Sequence, residues 1–243
     1  MKHFFSLSLV ILLFNSCAFE MKTDELFIHP ISHGSLIIEY GEEMIYVDPV
    51  GDFEDFKDFK KPTVILITDI HGDHLNLETL INIGDSIIPL VIPDAVNERL
   101  NDKIKGERIV MNNGESKTIK SMKIEAIPMY NLRDEALKFH EKGRGNGYVI
   151  NKNDSRIYIS GDTEDIPEMR ALKNIDIAFV CMNLPWTMPV EKAADAVLEF
   201  KPQQVFPYHY RGTDGLSDIE SFKSIVKSKN DAIKVNLLDW YKE

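Results

Sequence analysis

Between positions 69 and 74 the chain reads Asp69, Ile70, His71, Gly72, Asp73, His74, which sets two imidazoles and two carboxylates in one short stretch. Imidazole nitrogen and carboxylate oxygen are the donors that suit zinc and its neighbouring divalent metals. The five residues before Thr68 (Thr-Val-Ile-Leu-Ile, 63–67) are apolar and β-branched and read as a buried strand, so the donors stand at a strand end. Gly72 allows a turn tight enough for Asp69, His71, Asp73 and His74 to face one point. A polar turn facing solvent is the plain alternative. Two histidines flanked by aspartates at a strand end favour a metal site.

Three further donors follow apolar segments. Asp162 lies in Ser160-Gly161-Asp162-Thr163 after the strand expected at 156–160; His209 follows Phe206-Pro207-Tyr208; Asp48 closes Tyr46-Val47-Asp48-Pro49. A single aspartate after a strand is usually a turn residue, and a single histidine there is usually structural. Open α/β sheets, however, gather their chemistry at the carboxyl ends of strands, so four such ends can meet in one crevice.

The elements that must do the gathering change character along the chain. Strands are expected at 26–29, 36–40 and 44–47, a meander, then at 63–67. A helix over 75–83 is capped by Asn76 and stopped by Gly84, and 87–92 is a strand. A short helix at 94–100 precedes strands at 108–111, 117–119 and 123–127. Residues 130–147 show no periodicity and contain three glycines, the pattern of a functional loop. Strands at 148–150 and 156–160 lead into alternating elements: helix 164–173, strand 175–182, helix 190–200 behind Pro189, strand 204–207, helix 217–228 and strand 233–238. Phe53, Phe56 and Phe59 at three-residue spacing predict a short helix packed on the domain. Strands first and alternating elements later predict two sheets with helices outside, a layered α/β sandwich.

The 243 residues carry a net charge of −11, which argues against wrapping nucleic-acid phosphates. Lys2 and His3 precede an apolar run over 4–14 that is short for a membrane span and reads as the core of a signal peptide. The run ends in Phe14-Asn15-Ser16-Cys17, which resembles a bacterial lipobox. The expected organisation is a signal peptide over 1–16, lipidation at Cys17, a tether over 17–25 and one domain over 26–243, anchored in a bacterial envelope on the periplasmic or outer-membrane side. An ordinary cleaved signal is the alternative. Cys181, the second of two cysteines, then has no partner and reads as a small buried hydrophobe.

With these residues in hand, the chain resembles the metallo-β-lactamase superfamily over nearly all of the expected domain. Asp69 to His74 matches its H-x-H-x-D-H signature except at the first position, and Gly161-Asp162-Thr163 is similar to its later G-D-T element. His33-Gly34-Ser35 before an apolar strand resembles the subgroup containing L-ascorbate-6-phosphate lactonase and, more distantly, the N-acylphosphatidylethanolamine-hydrolysing phospholipases. The resemblance implies a four-layer αββα sandwich. It implies that Asp73, His74 and His209 hold one metal, that His71 holds another, that Asp162 bridges, and that Asp48 supports the ligands from behind. Asp69 stands where the family has histidine, and Asn131 falls where a third histidine is expected; His140 in the same loop could serve in its place. Such a set accommodates one or two divalent metals per chain, zinc first, with manganese, iron or magnesium favoured by the harder donors.

The implied activity is metal-dependent hydrolysis of a small anionic ester, lactone or phosphoester, with Asp73 orienting the attacking water. Arg144, in the cation-bearing loop 138–147, is expected to bind an anionic substrate group. Tyr208, beside Tyr210 and Arg211, is expected on the pocket wall and His33 near the site; His29 reads as structural. A β-lactam hydrolase is the alternative within enzymes. A metal- or ligand-binding lipoprotein without catalysis is the alternative outside them, favoured by Asp69 and Asn131. The oligomeric state is left open by the sequence.

Overall fold

The computed structural model describes residues 25–241; the expected signal peptide and Cys17 lie outside them. The first sheet holds β1 (Leu26–Ser32), β2 (Ser35–Tyr40), β3 (Glu43–Val47), β4 (Val64–Leu66), β5 (Leu90–Ile92) and β6 (Arg108–Val110), paired in that order. The second holds β7 (Ser116–Ile119), β8 (Met122–Met129), β9 (Gly145–Lys152), β10 (Ser155–Ile159), β11 (Ile177–Cys181), β12 (Gln204–Tyr208) and, past a small hairpin of β13 (Arg211–Gly212) and β14 (Gly215–Leu216), β15 (Lys234–Val235). Both sheets share one plan. Each opens with antiparallel strands and closes with parallel ones, β3 to β6 in the first and β10 through β11 and β12 to β15 in the second. Parallel strands point their carboxyl ends the same way, and the site lies there.

Side-chain alternation explains the layering. In β2, Leu36, Ile38 and Tyr40 join the core between the sheets, while Ile37 joins a second core on the outer face. That outer core is closed by Leu80 and Ile83 of α1 (Leu77–Ile83) and Val96 of α2 (Asp94–Asn97). The second sheet is covered by α3 (Pro167–Arg170), α4 (Val190–Phe200) and α5 (Ile219–Lys229), through Met169, Ala193, Val197, Phe200 and Phe222. Strands apolar on both faces need cover on both sides, which gives helices, sheet, sheet, helices. The four-layer αββα sandwich is the fold.

Several elements differ from their expected bounds. The helix expected over 164–173 shrinks to α3, because Pro167 starts it and the Glu164 carboxylate is engaged upstream by the amides of Leu132 and Arg133. Strand β9 begins at Gly145, inside the expected loop. A Cβ at Gly145 would lie 2.8 Å from the Thr68 carbonyl and one at Gly147 2.8 Å from that of Ser160, so only glycine fits this approach. The final strand is reduced to β15, and the hairpin β13–β14 was not foreseen. The phenylalanine stripe gives one turn of 3₁₀-helix over Phe53–Asp55, with Phe56 buried against Tyr46 and Phe53 exposed.

Candidate metal centre

Three site residues leave their strands in the left-handed backbone region: His33 after β1 (φ 48°), Asp48 after β3 (φ 44°) and His209 after β12 (φ 46°). Side chains other than glycine adopt this region at a cost of about 1–3 kcal/mol, and such residues cluster at functional sites. The sharp turn is what lets a residue at the rim of a sheet direct its side chain across the crevice.

One donor group comprises Asp73, His74 and His209. His209 Nε2 lies 3.3 Å from His74 Nε2, 3.2 Å from Asp73 Oδ2 and 3.4 Å from Asp162 Oδ1; His74 Nε2 lies 3.5 Å from Asp162 Oδ2. A zinc ion bonded at about 2.0–2.1 Å to four tetrahedral donors holds neighbouring donors about 3.3 Å apart, so the spacing fits a cation. Behind the ring, His74 Nδ1 lies 2.8 Å from Asp48 Oδ2, which turns Nε2 towards the crevice. Asp48 is in turn fixed by the Thr68 amide at 2.7 Å and the Thr68 hydroxyl at 2.6 Å. The Asn183 amide lies 3.3 Å from His209 Nδ1.

The other group comprises Asp69, His71 and His140. His71 Nδ1 is 2.7 Å from Asp69 Oδ2, and His140 Nε2 is 3.9 Å from the same oxygen and 3.4 Å from Asp162 Oδ2. His140 Nδ1 faces the Trp186 carbonyl at 3.2 Å, so its Nε2 is the free end, buried and without a hydrogen-bond partner. Asp162 Oδ1 is a second buried atom without one. Buried polar atoms left unpaired are costly, and both of these point among the other donors. Asp162 stands between the groups, reaching His209 with one oxygen and His74 and His140 with the other.

The electrostatics agree with a cation site. Burial pushes the Asp162 carboxyl up, but His209 and His74 outweigh it and hold it well below the ordinary carboxylate range. For Asp69, burial is likewise outweighed by the hydrogen bond to His71 and by the charges of His74, His71 and Arg144, bringing it down to about 2. Asp73 is lowered by His209 and His74 against its burial. His74 is raised, Asp162 and Asp48 overcoming the burial that would lower it. Without a cation, the buried carboxylates here have only His74, raised by them, and Arg144 to balance them. The residues present therefore fit a metal.

Other expected positions fall differently. Asn131 is buried behind His140: its amide nitrogen donates to the carbonyls of Ala136 at 2.9 Å and Trp186 at 2.6 Å and lies 3.2 Å from His140 Nδ1. His140 stands in the donor group, and the Asn131 side chain packs against it with its Oδ1 buried and without a hydrogen-bond partner. Arg144 is turned away from an anion-binding role, because its guanidinium grips the Asp69 carboxylate, Nε to Oδ1 at 3.1 Å and Nη2 to Oδ2 at 2.9 Å. Tyr208 does not line a pocket; it is buried in the core against Phe179 and Trp240, since alternation along β12 turns it inward. His33 does reach the site, its ring edge-on to that of His209 at 5.3 Å and to Tyr241 at 5.1 Å. His29 lies away from it, beside Glu39 and Phe59. Thr68, Asn183, Trp186 and Gly34 were missed. A Cβ on Gly34 would sit 3.1 Å from His74 Cε1 and 3.2 Å from His209 Cδ2. Thr68, directly before the motif, and Gly34, within His33-Gly34-Ser35, each carried a signal; Asn183 and Trp186 carried none.

Residues 28–209 match the family model described as the β-lactamase superfamily domain. The chain belongs to the metallo-β-lactamase superfamily. Within that superfamily it belongs to the UPF0173 metal-dependent hydrolases: the relative from Pyrococcus horikoshii is 30% identical over 216 residues, covering 84% of this chain and 93% of that one. The crystal structure of a candidate metal-dependent hydrolase from Parabacteroides distasonis superposes with a TM-score of 0.79 at 40% identity, over 88% of this chain and 93% of that one. Igni18, a metallo hydrolase of Ignicoccus hospitalis, shares the fold with a TM-score of 0.75 at 22% identity, over 89% and 96% of the two chains. This superfamily member is a metal-dependent hydrolase.

Proposed function

We propose that this hydrolase carries two divalent metals and cleaves a small, negatively charged ester, lactone or phosphoester. The observation that carries the reading is the pair of donor groups joined through Asp162. Asp69, His71 and His140 would hold one ion and Asp73, His74 and His209 the other, with Asp162 shared. The ions supply Lewis acidity and bring bound water to a pKa of about 7. Mixed nitrogen and oxygen donors suit zinc, and the carboxylates at 69, 73 and 162 also suit manganese or iron.

The protein's own part is positional. The side chains of Asp73 and His71 are 43% and 40% exposed, whereas those of the other donors are buried, so substrate enters past these two. Asp73, kept ionised by its imidazole neighbours, accepts a hydrogen bond from the attacking water and aims it. With Arg144 committed to Asp69, the cation available to an anionic substrate is Arg211. Its guanidinium lies over the Tyr241 ring at 4.1 Å, and the Tyr241 hydroxyl is 3.3 Å from His33 Nδ1 beside the site. Hydrolysis of a lactone, a phosphodiester and a β-lactam by metal-loaded protein tests the reading. Lactone or phosphodiester turnover, abolished by His209→Ala, supports it. Turnover of the β-lactam alone overturns the substrate class.

A lipid at Cys17 would anchor the chain in a bacterial envelope. β1 begins at Leu26 and ends beside His33, about 20 Å of strand, so the first described residues lie at the end of β1 away from the site. Labelled fatty acid incorporated into the wild-type chain and lost in Cys17→Ala checks this.

A further inference from the structure

Arg144 has a function that its place in a cation-bearing loop conceals. The Asp69 carboxylate is fully buried, and both of its oxygens are held by the fork of one guanidinium. The same guanidinium donates from Nη2 to the carbonyl of Phe139, the residue before His140. Arg144 thus ties together the two loops that bring Asp69 and His140 to one metal group. The loops are also joined by the Asn146 amide donating to the Thr68 carbonyl at 2.9 Å, beside the bare backbone of Gly145. Asp69 Oδ2 still reaches His71 Nδ1 at 2.7 Å, so the carboxylate faces the metal group on one side and the arginine on the other.

We propose that Asp69 and Arg144 form a single charge-balanced unit occupying the place of the signature's first histidine. This rests on the two-metal reading above. A histidine contributes a neutral donor. An aspartate contributes an anionic one, and the adjacent guanidinium returns the total to zero. A planar fork matched to a carboxylate also fixes the plane of that carboxylate, which a lysine point charge does not. The unit is indivisible. Histidine at 69 with arginine still at 144 sets an unpaired, largely buried cation beside a metal, where removal of its partner is strongly unfavourable.

Metal content and affinity measured on the wild-type chain, Asp69→His, Asp69→His/Arg144→Met and Asp69→His/Arg144→Lys test the unit, using elemental analysis and zinc and manganese titration against a chromophoric chelator. Wild type is expected to hold two ions. Asp69→His falls to about one, with at least tenfold weaker binding of the second. Asp69→His/Arg144→Met returns to two, and Asp69→His/Arg144→Lys stays at one, because the charge remains. Should Asp69→His fail to fold while Asp69→His/Arg144→Met folds, the same incompatibility is read in stability, and the proposal stands. It is overturned if Asp69→His alone keeps two ions with wild-type affinity, if the methionine double variant binds no better than Asp69→His, or if neither folds. A wild-type chain that takes up no metal overturns the two-metal reading itself, a result distinct from all of these.

Discussion

Gly34 shows how much of the centre is set by a residue with no chemistry of its own. It lies where a methyl group would press within 3.1 Å of His74 and 3.2 Å of His209, closer than carbon atoms ordinarily approach. Gly34→Ala is therefore expected to displace both imidazoles by a few tenths of an ångström and to weaken metal binding at the Asp73–His74–His209 group about tenfold or more, while the fold persists; chelator competition beside a circular dichroism spectrum checks it. At this scale the sequence was half legible. The motif residues announced themselves by type and spacing, and the strand ends at 48, 162 and 209 followed from fold logic. The placement of His140 in the donor group was not readable, because its ring is set by the Trp186 carbonyl, distant in sequence. The engagement of Arg144 was hidden for the same reason, since Asp69 is 75 residues away.

Elements were legible where local pattern and tertiary role agreed. The helix at 190–200 appears with its expected bounds, its small residues Ala193, Ala194 and Ala196 buried against the sheet. The segment 164–173 misled because Glu164, a good helix former by propensity, is recruited to cap the loop at Leu132 and Arg133. Glu43 illustrates a role no pattern reveals. From β3 in the first sheet it accepts hydrogen bonds from the hydroxyls of Thr63 at 2.7 Å and of Ser121 at 2.7 Å, the latter in the β7–β8 turn of the second sheet. Burial pushes its carboxyl up, but these hydroxyls, with the charges of Lys120 and Lys152, outweigh it and lower it. A folded value below the unfolded one means the unfolded chain binds more protons between the two. This stabilisation is complete above the unfolded value, about 4.3, and is lost as pH falls through the folded value. Glu43→Gln is expected to cost about 1–2 kcal/mol at neutral pH, and the gap to wild type should narrow in acid. Urea melts at neutral pH and below pH 4 measure both; a gap that widens in acid contradicts the assignment.

Across the whole molecule, two sheets of like plan carry one donor group or the other on loops from both. Asp69 and His71 follow the first sheet's β4 while His140 precedes β9 of the second; Asp73 and His74 continue the first while His209 ends β12. A cation held by both sheets cross-links them, so metal binding should stabilise the entire fold. At a free metal concentration 100 times the dissociation constant the gain is about 2.7 kcal/mol per ion, or roughly 5 °C in melting temperature for a domain of this size. Chelation is expected to lower the melting temperature by at least that much, and readdition to restore it. Cys181 takes no part, being buried with its thiol pushed up to about 12 by that burial, so thiol reagents should leave Cys181 unmodified in the folded protein.

The central claim is that His140 completes one metal group while His209 completes the other. Elemental analysis of the purified wild-type chain beside His140→Ala and His209→Ala addresses it directly. Two ions per chain in wild type and one in each variant is the expected result. Two ions retained in His140→Ala would contradict the claim, assigning the loop at 130–144 no part in holding metal.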